Sequence, residues 1–145
     1  MEETIREFFQ AYAHRFEASL ASGQVDVDGV VDSFAPYFVE STPAGVQGAR
    51  NGLLFRWMVP RGFARYRKLG TRRMRIDSLQ VTELDPMHAM AKVGWHSEYV
   101  KKGDGAAVSI DFVVIYLLRL SDAGPKIFAY VSGDEQKALR EHGLI

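Results

Sequence analysis

Residues 106–132 read AAVSIDFVVIYLLRLSDAGPKIFAYVS, and this stretch decides the fold. Two apolar runs flank the turn segment SDAGPK at 121–126, a pattern that predicts a β-hairpin. The longer run, 106–120, alternates two apolar sets, one being Ile110, Phe112, Val114, Tyr116 and Leu118 and the other Val113, Ile115 and Leu117. Because both faces of this strand are apolar, both need cover. We expect helices on one face and a second subunit on the other, which makes a homodimer.

The segments before this hairpin continue the strand pattern. Runs at 71–84 and 88–100 are separated by the turn Asp85-Pro86, and KKGDG at 101–105 predicts a tight connection into the run at 106–120. On 88–100 the more apolar set is taken to face inward, namely Val93, Trp95, Ser97 and Tyr99. Lys92, His96 and Glu98 then face outward.

The chain before Gly70 has helical spacing instead. Residues 3–22 form an amphipathic helix, and Asp26 is expected to cap a second helix that runs through Phe34. A short strand follows at 37–42. A third helix is expected from Gly48, with Pro60 breaking or kinking it, and a closing helix from Asp134.

The order of helices first and hairpin-linked strands afterwards is typical of an α+β fold. We therefore expect one domain over residues 1–145, with N-terminal helices packed on a strongly bent antiparallel sheet that forms a cone around an internal pocket. The length of 145 residues fits one domain.

The amino-acid composition excludes several classes of functional site. The chain contains no cysteine, which excludes thiol catalysis, disulfides and cysteine-based zinc sites. No signal peptide is visible and the longest apolar run, 112–118, is too short to cross a bilayer. We expect a cytoplasmic protein without a membrane partner.

Charge is distributed unevenly although the net charge is zero. Residues 41–76 hold nine bases and no acid, whereas residues 1–40 hold eight acids and two bases. The basic segment 50–75 is interleaved with aromatic residues, a mixture that can bind nucleic acid or an anionic ligand. We favour the simpler interpretation, that these bases solvate the surface and offset the acidic N-terminal helices.

The sequence resembles the nuclear transport factor 2-like superfamily, which includes SnoaL-like polyketide cyclases and ketosteroid isomerases. The resemblance is carried by the first helix ending in ASG at 21–23, the segment FVESTPAG at 38–45, and the tail IYLLRL, SDAG and KIFAYVSGDE. It implies a cone-shaped sheet closed by helices, and often a dimer formed through the outer sheet face.

The resemblance does not carry the ketosteroid isomerase mechanism with it. The positions that match that family's aspartate base, tyrosine and protonated aspartate are Thr42, Phe16 and Tyr116. None of the three keeps the required group, although Tyr116 retains a hydroxyl that can donate a hydrogen bond. Steroid isomerisation by that route is therefore not expected.

The candidate site combines apolar and hydroxyl-bearing side chains around the expected pocket. Its predicted ligand-binding residues are Tyr12, Thr42, Trp57, Trp95, Ser97, Tyr99, Phe112 and Val114. Such a lining suits a small hydrophobic ligand held by one or two hydrogen bonds. The alternative is that the same residues fill a core.

Glu40 is the candidate general base, because it shares a strand face with Thr42 and an inward carboxylate can accept a proton. Tyr116 or Tyr12 would donate a hydrogen bond. The alternative for Glu40 is a place on the surface. His96 and Glu98 share a face but make no metal site, and Asp111 is expected to face outward and pair with Lys92 or Arg119.

Three functions stay open at this point. The first is binding or conversion of a small hydrophobic metabolite by cofactor-free proton chemistry, such as isomerisation, cyclisation or dehydration. The second is a non-catalytic binding or dimerisation module. The third is anion or nucleic-acid binding through the segment 50–75.

Overall fold

The computed structural model describes all 145 residues and contains four helices and six strands. In chain order the elements are α1 (Glu2–Ser22), α2 (Val27–Asp32), β1 (Phe34–Thr42), β2 (Gly45–Arg50), α3 (Leu53–Leu69), β3 (Thr71–Asp85), β4 (His88–Val100), β5 (Ala107–Ser121), β6 (Gly124–Ser132) and α4 (Glu135–Glu141). The predicted α+β class with N-terminal helices on a bent sheet is confirmed. None of the four helices combines the length and apolar character needed to span a bilayer.

The strands form one sheet in the order β2-β1-β6-β5-β4-β3. The sheet does not close, because β2 and β3 remain at opposite edges. Four neighbouring pairs are antiparallel, while β1 and β6 run parallel. Irregular registers in β3 and between β5 and β6 accompany the bend, as expected for β-bulges.

The core lies between the concave face of the sheet and the helices. Ile5 and Phe9 of α1 are fully buried, and the Phe9 ring lies 4.9 Å from that of Tyr116 on β5. From α3, Val59 and Phe63 join the same core. Helical spacing in α1 and α3 therefore places their apolar stripes on the inward strand face.

The third helix differs from its prediction at two points. It begins at Leu53 rather than Gly48, because residues Gly45–Arg50 pair with β1 as an edge strand. Pro60 does not break it: the helix continues to Leu69. A proline removes one backbone hydrogen bond, and the buried Val59 and Phe63 hold the helix against the core on both sides of that position.

The second helix ends earlier than predicted. It stops at Asp32, and Phe34 already belongs to β1. Phe34 pairs with Ile127 of β6, so the sheet recruits residues that the local pattern assigned to a helix. Asp26 does cap α2, accepting a hydrogen bond from the Gly29 amide at 3.0 Å.

Candidate functional site

The alternation expected for the central strands matches the structure. On β4 the residues Val93, Trp95, Ser97 and Tyr99 are buried, and on β5 Ile110, Tyr116 and Leu118 are buried. Val113, in the other β5 set, is 51% exposed. The concave face therefore carries the side chains that the sequence assigned to it.

Two hollows that are open to solvent lie between the helices and the concave face, and they share part of their lining. The C-terminal chamber, of about 590 Å³, lies beneath α4 and includes Trp95, Phe112, Val114, Tyr116 and Glu135 in its lining. The N-terminal chamber, of about 730 Å³, lies between β1, β2, α2 and α3. Six residues line both hollows and are called here the shared wall: Tyr12, Phe16, Phe34, Glu40, Tyr66 and Tyr130.

Glu40 lies in the shared wall. Its carboxylate accepts a hydrogen bond of 2.5 Å from the Tyr130 hydroxyl on the neighbouring strand β6. The two residues face each other in the parallel β1–β6 register, which brings their side chains to the same side of the sheet. Burial, followed by the hydrogen bond to Glu40 and its charge, raises the pKa of Tyr130, so this phenol remains a hydrogen-bond donor.

Three further aromatic side chains meet beside this pair. The Trp95 indole N–H donates to the Tyr116 hydroxyl at 3.1 Å, and the Tyr12 ring lies 6.0 Å from Trp95 and 6.2 Å from Tyr116. Burial raises the pKa of Tyr12 to about 12 and that of Tyr116 well above its ordinary value. Both phenols therefore stay protonated in neutral solution. Tyr116, Trp95 and Glu40 thus converge on one chamber.

A second carboxylate reaches the same chamber from α4. Glu135 lines the C-terminal chamber, and burial raises its pKa, with the Glu40 charge adding to the increase. The neighbouring Tyr66 hydroxyl and the Arg65 charge act in the opposite direction. Glu135 is therefore a second carboxylate at this chamber, with the Tyr66 phenol in its neighbourhood.

Sequence reasoning missed these partners for identifiable reasons. In β6, Ile127 lies opposite Leu118 and Tyr130 lies opposite Tyr116. Strict alternation would place Ile127 and Tyr130, which are three residues apart, on opposite faces of the sheet. The bulge between them restores Tyr130 to the inward face. Glu135 follows the helix cap Asp134, where an acidic residue ordinarily serves the helix terminus, so its pattern gave no signal of a site.

Four predicted ligand residues do not line either chamber. Thr42 lies at the β1–β2 turn, where its hydroxyl accepts from the Ala44 amide at 3.2 Å. Trp57 is 54% exposed on α3 and stacks under Arg61. Ser97 and Tyr99 are buried beyond the chamber.

The positions of Ser97 and Tyr99 follow from the closing helix. Tyr99 packs with Ile110 of β5 and Leu139 of α4 in a small separate cluster. The α4 helix therefore covers this end of β4 and fills the space that a longer cavity would need. The hydroxyls of Ser97 and Tyr99 are buried without a hydrogen-bond partner.

The convex face carries one group of potential metal donors. Asp77, His96 and Asp111 place ligand atoms within 4.8 Å of one another. The His96 ring lies 2.7 Å from the Asp111 carboxylate, so Asp111 faces outward as predicted but pairs with His96 and not with Lys92 or Arg119. Both aspartates are exposed, which is an ordinary setting for an ion pair on a sheet surface.

The basic segment does not form one continuous surface. Arg56 pairs with Asp28, and Arg73 lies 2.9 Å from Glu17, so both offset acids of the N-terminal helices. Arg65 and Lys68 face a separate surface cleft together with basic residues of the β4–β5 turn. Arg50 is the basic residue of this segment that lines the N-terminal chamber.

Solved structures with the same fold share little sequence with this chain. An NTF2-like protein with a cystatin-like fold from Novosphingobium aromaticivorans has a TM-score of 0.68 at 14% identity, covering 98% of this chain and 88% of that one. The Aln2 protein from a Streptomyces species has a TM-score of 0.66 at 15% identity, covering 97% and 94%. A ketosteroid isomerase-like protein from Erwinia carotovora atroseptica has a TM-score of 0.58 at 13% identity, with 92% of each chain covered.

Sequence comparison gives the family directly. No curated protein matches the chain. A family model described as NTF2-like protein (DUF6841) matches residues 2–135, which is nearly the whole length. With the helix-covered curved sheet and the structural neighbours, this match shows that the chain belongs to the NTF2-like family DUF6841.

Proposed function

We propose that this domain binds a small hydrophobic metabolite in its two-chambered interior and converts it by cofactor-free proton chemistry, with Glu40 as the general base. The observation that carries the proposal is the position of the Glu40 carboxylate. It lies in the wall common to both chambers, with the Tyr130 hydroxyl 2.5 Å away.

The surroundings of Glu40 suit proton transfer. Most residues of the C-terminal chamber are hydrophobic, so the part of a ligand that contacts them would be shielded from bulk water. A carboxylate in such a place can take a proton from carbon or oxygen of the ligand. Tyr116, held by the Trp95 indole, and Tyr12 supply hydroxyls that can stabilise charge developing on a ligand oxygen. Isomerisation, cyclisation and dehydration all need a base that takes a proton and a donor that stabilises the charge formed.

The first experiment tests occupancy of the chamber. We expect native mass spectrometry of the purified protein, or thermal-shift screening against aromatic ketones and phenols, to reveal a bound small molecule. Val114→Trp places an indole in the C-terminal chamber and should weaken that binding by about tenfold or more. Val46→Trp, at a position 70% exposed on β2, is the matched control and should leave binding unchanged.

If Val114→Trp binds the small molecule as tightly as Val46→Trp, the C-terminal chamber is not the binding site. Circular dichroism melts must show that Val114→Trp is folded, and Phe112→Trp offers a second filling variant at the neighbouring inward position. Ligand capture without any turnover would favour the non-catalytic binding module instead.

The domain is also proposed to act as a homodimer through the convex face. This face exposes three valines: Val39 on β1 (40% exposed), Val113 on β5 (51%) and Val131 on β6 (47%). Their burial between two subunits would remove apolar surface from water. Light scattering at micromolar concentration should give twice the 16.3 kDa chain mass. Val113→Asp should reduce that mass to one chain, and a wild-type monomer would contradict the proposal.

The proposed setting is the cytoplasm, in keeping with a chain that has no cysteine. Nucleic acid is not a proposed partner. Two arginines of the segment 50–75 are paired with acids of α1 and α2, which supports the interpretation of that segment as charge compensation.

A further inference from the structure

We infer that the C-terminal chamber selects a hydrophobic ligand whose head group is a protonated amine. This inference rests on the proposed function, since it names the class of molecule that the same chamber would hold. It is carried by the charges, the hydrogen-bonding capacity and the aromatic lining of the chamber.

The charge around the chamber has one sign. Three acidic residues line it, namely Glu40, Asp134 and Glu135, and the outward-facing Asp111 lies at its edge; no lysine, arginine or histidine is among its lining residues. Two of these acids are occupied elsewhere, because Asp111 pairs with His96 and Asp134 accepts from the Lys137 amide at 2.9 Å. Glu40 and Glu135 are therefore the carboxylates available to a ligand.

Hydrogen-bonding capacity favours a ligand that brings donors. A carboxylate has about four acceptor sites. Glu40 receives a single side-chain hydrogen bond, from Tyr130, and the Trp95 N–H is already used by Tyr116. The phenol O–H groups of Tyr12, Tyr66 and Tyr116 are donors in the same lining, but the acceptor sites of the two carboxylates outnumber them. An ammonium group supplies up to three further N–H donors. A ligand carboxylate or phosphate would add acceptors and meet like charge.

The walls suit the same cation. Eight lining side chains are aromatic, among them Tyr12, Trp95 and Tyr130. The faces of such rings attract a cation, and the attraction strengthens when water is excluded. Arg65 approaches Glu135 but lines the separate surface cleft, so the chamber contains no cation of its own. Two carboxylates within an aromatic enclosure form a receptor for an amine attached to an apolar body.

Three probes of matched shape test this inference: 2-naphthylmethylamine, 2-naphthalenemethanol and 2-naphthoate, measured by calorimetry at neutral pH. We expect the amine to bind about tenfold or more tightly than the alcohol, and the carboxylate to bind least tightly. Glu40→Gln and Glu135→Gln keep the side-chain shape and remove one charge each. Each should reduce amine affinity by about three- to tenfold and leave alcohol affinity nearly unchanged.

Asp122→Asn is the control, because it removes one exposed negative charge at the β5–β6 turn. It should leave all three affinities unchanged. If the alcohol binds wild type as tightly as the amine, or if both glutamine variants keep wild-type amine affinity, the amine inference is wrong while the pocket function stands. If none of the three probes binds to the wild-type protein, the inference and the proposed pocket both fail.

Discussion

Glu40→Gln is expected to lose turnover by about 10²- to 10⁴-fold, the usual contribution of a positioned general base, whereas its ligand affinity should fall by no more than the about three- to tenfold expected from removing one carboxylate charge. Glutamine keeps the size of the side chain and an oxygen that accepts from the Tyr130 hydroxyl. It cannot take a proton at neutral pH. The substitution therefore separates the chemical step from binding, and steady-state kinetics on the ligand identified by capture would measure the loss.

The matched control for this prediction is Glu83→Gln. Glu83 is exposed near the end of β3 and does not line either chamber, so its variant should turn over at the wild-type rate. The turnover rate of Tyr130→Phe should lie between those of Glu40→Gln and Glu83→Gln. This variant keeps the Glu40 carboxylate but removes the hydroxyl that donates to it. An unchanged rate for Glu40→Gln, with folding intact, would exclude Glu40 from the mechanism.

Gly70→Ala is expected to destabilise the domain by about 2–5 kcal/mol, through backbone strain and overpacking together. Gly70 ends α3 with a φ of +95°, a conformation that L side chains rarely adopt. A Cβ at this position would meet the Val100 carbonyl oxygen at 2.2 Å. The backbone cannot easily move away, because the Val100 amide donates to the Gly70 carbonyl at 2.9 Å.

Chemical denaturation of Gly70→Ala beside Gly62→Ala measures the effect. Gly62 lies inside α3, and a Cβ there meets no atom within 4 Å. Gly62→Ala should stabilise by about 0.5–1 kcal/mol, because alanine is the better helix former. Equal stability of the two variants would show that the α3–β3 junction tolerates a side chain and that Gly70 is not required there.

The central strands could be predicted because their pattern is local. A period of two residues assigns each side chain of β4 and β5 to a face, and one apolar face must be inward. Trp95 followed from this rule, because only one face of β4 is strongly apolar. Both faces of β5 are apolar, so Phe112 and Val114 followed from alternation with Tyr116, which the resemblance to ketosteroid isomerases places inward. The long α1 could be predicted for the same reason, since its apolar residues recur at helical spacing.

Errors arose where pairing partners are distant in sequence. Residues 48–50 belong to an edge strand because β1 offers them hydrogen bonds, although their own pattern predicts the start of the third helix. Phe34 joined β1 because Ile127, far along the chain, pairs with it. Tertiary hydrogen bonding overrides local propensity at such positions.

The amino-acid sequence by itself determined the α+β class, the inward face of β4 and the candidacy of Glu40, because periodicity and residue chemistry are local properties. Only the tertiary structure decided which groups meet Glu40. Tyr130 reaches it through a bulge and a parallel strand pair, and Glu135 reaches the same chamber from the closing helix. Both contacts depend on how distant segments dock in three dimensions, and spacing along the chain carries no record of that docking.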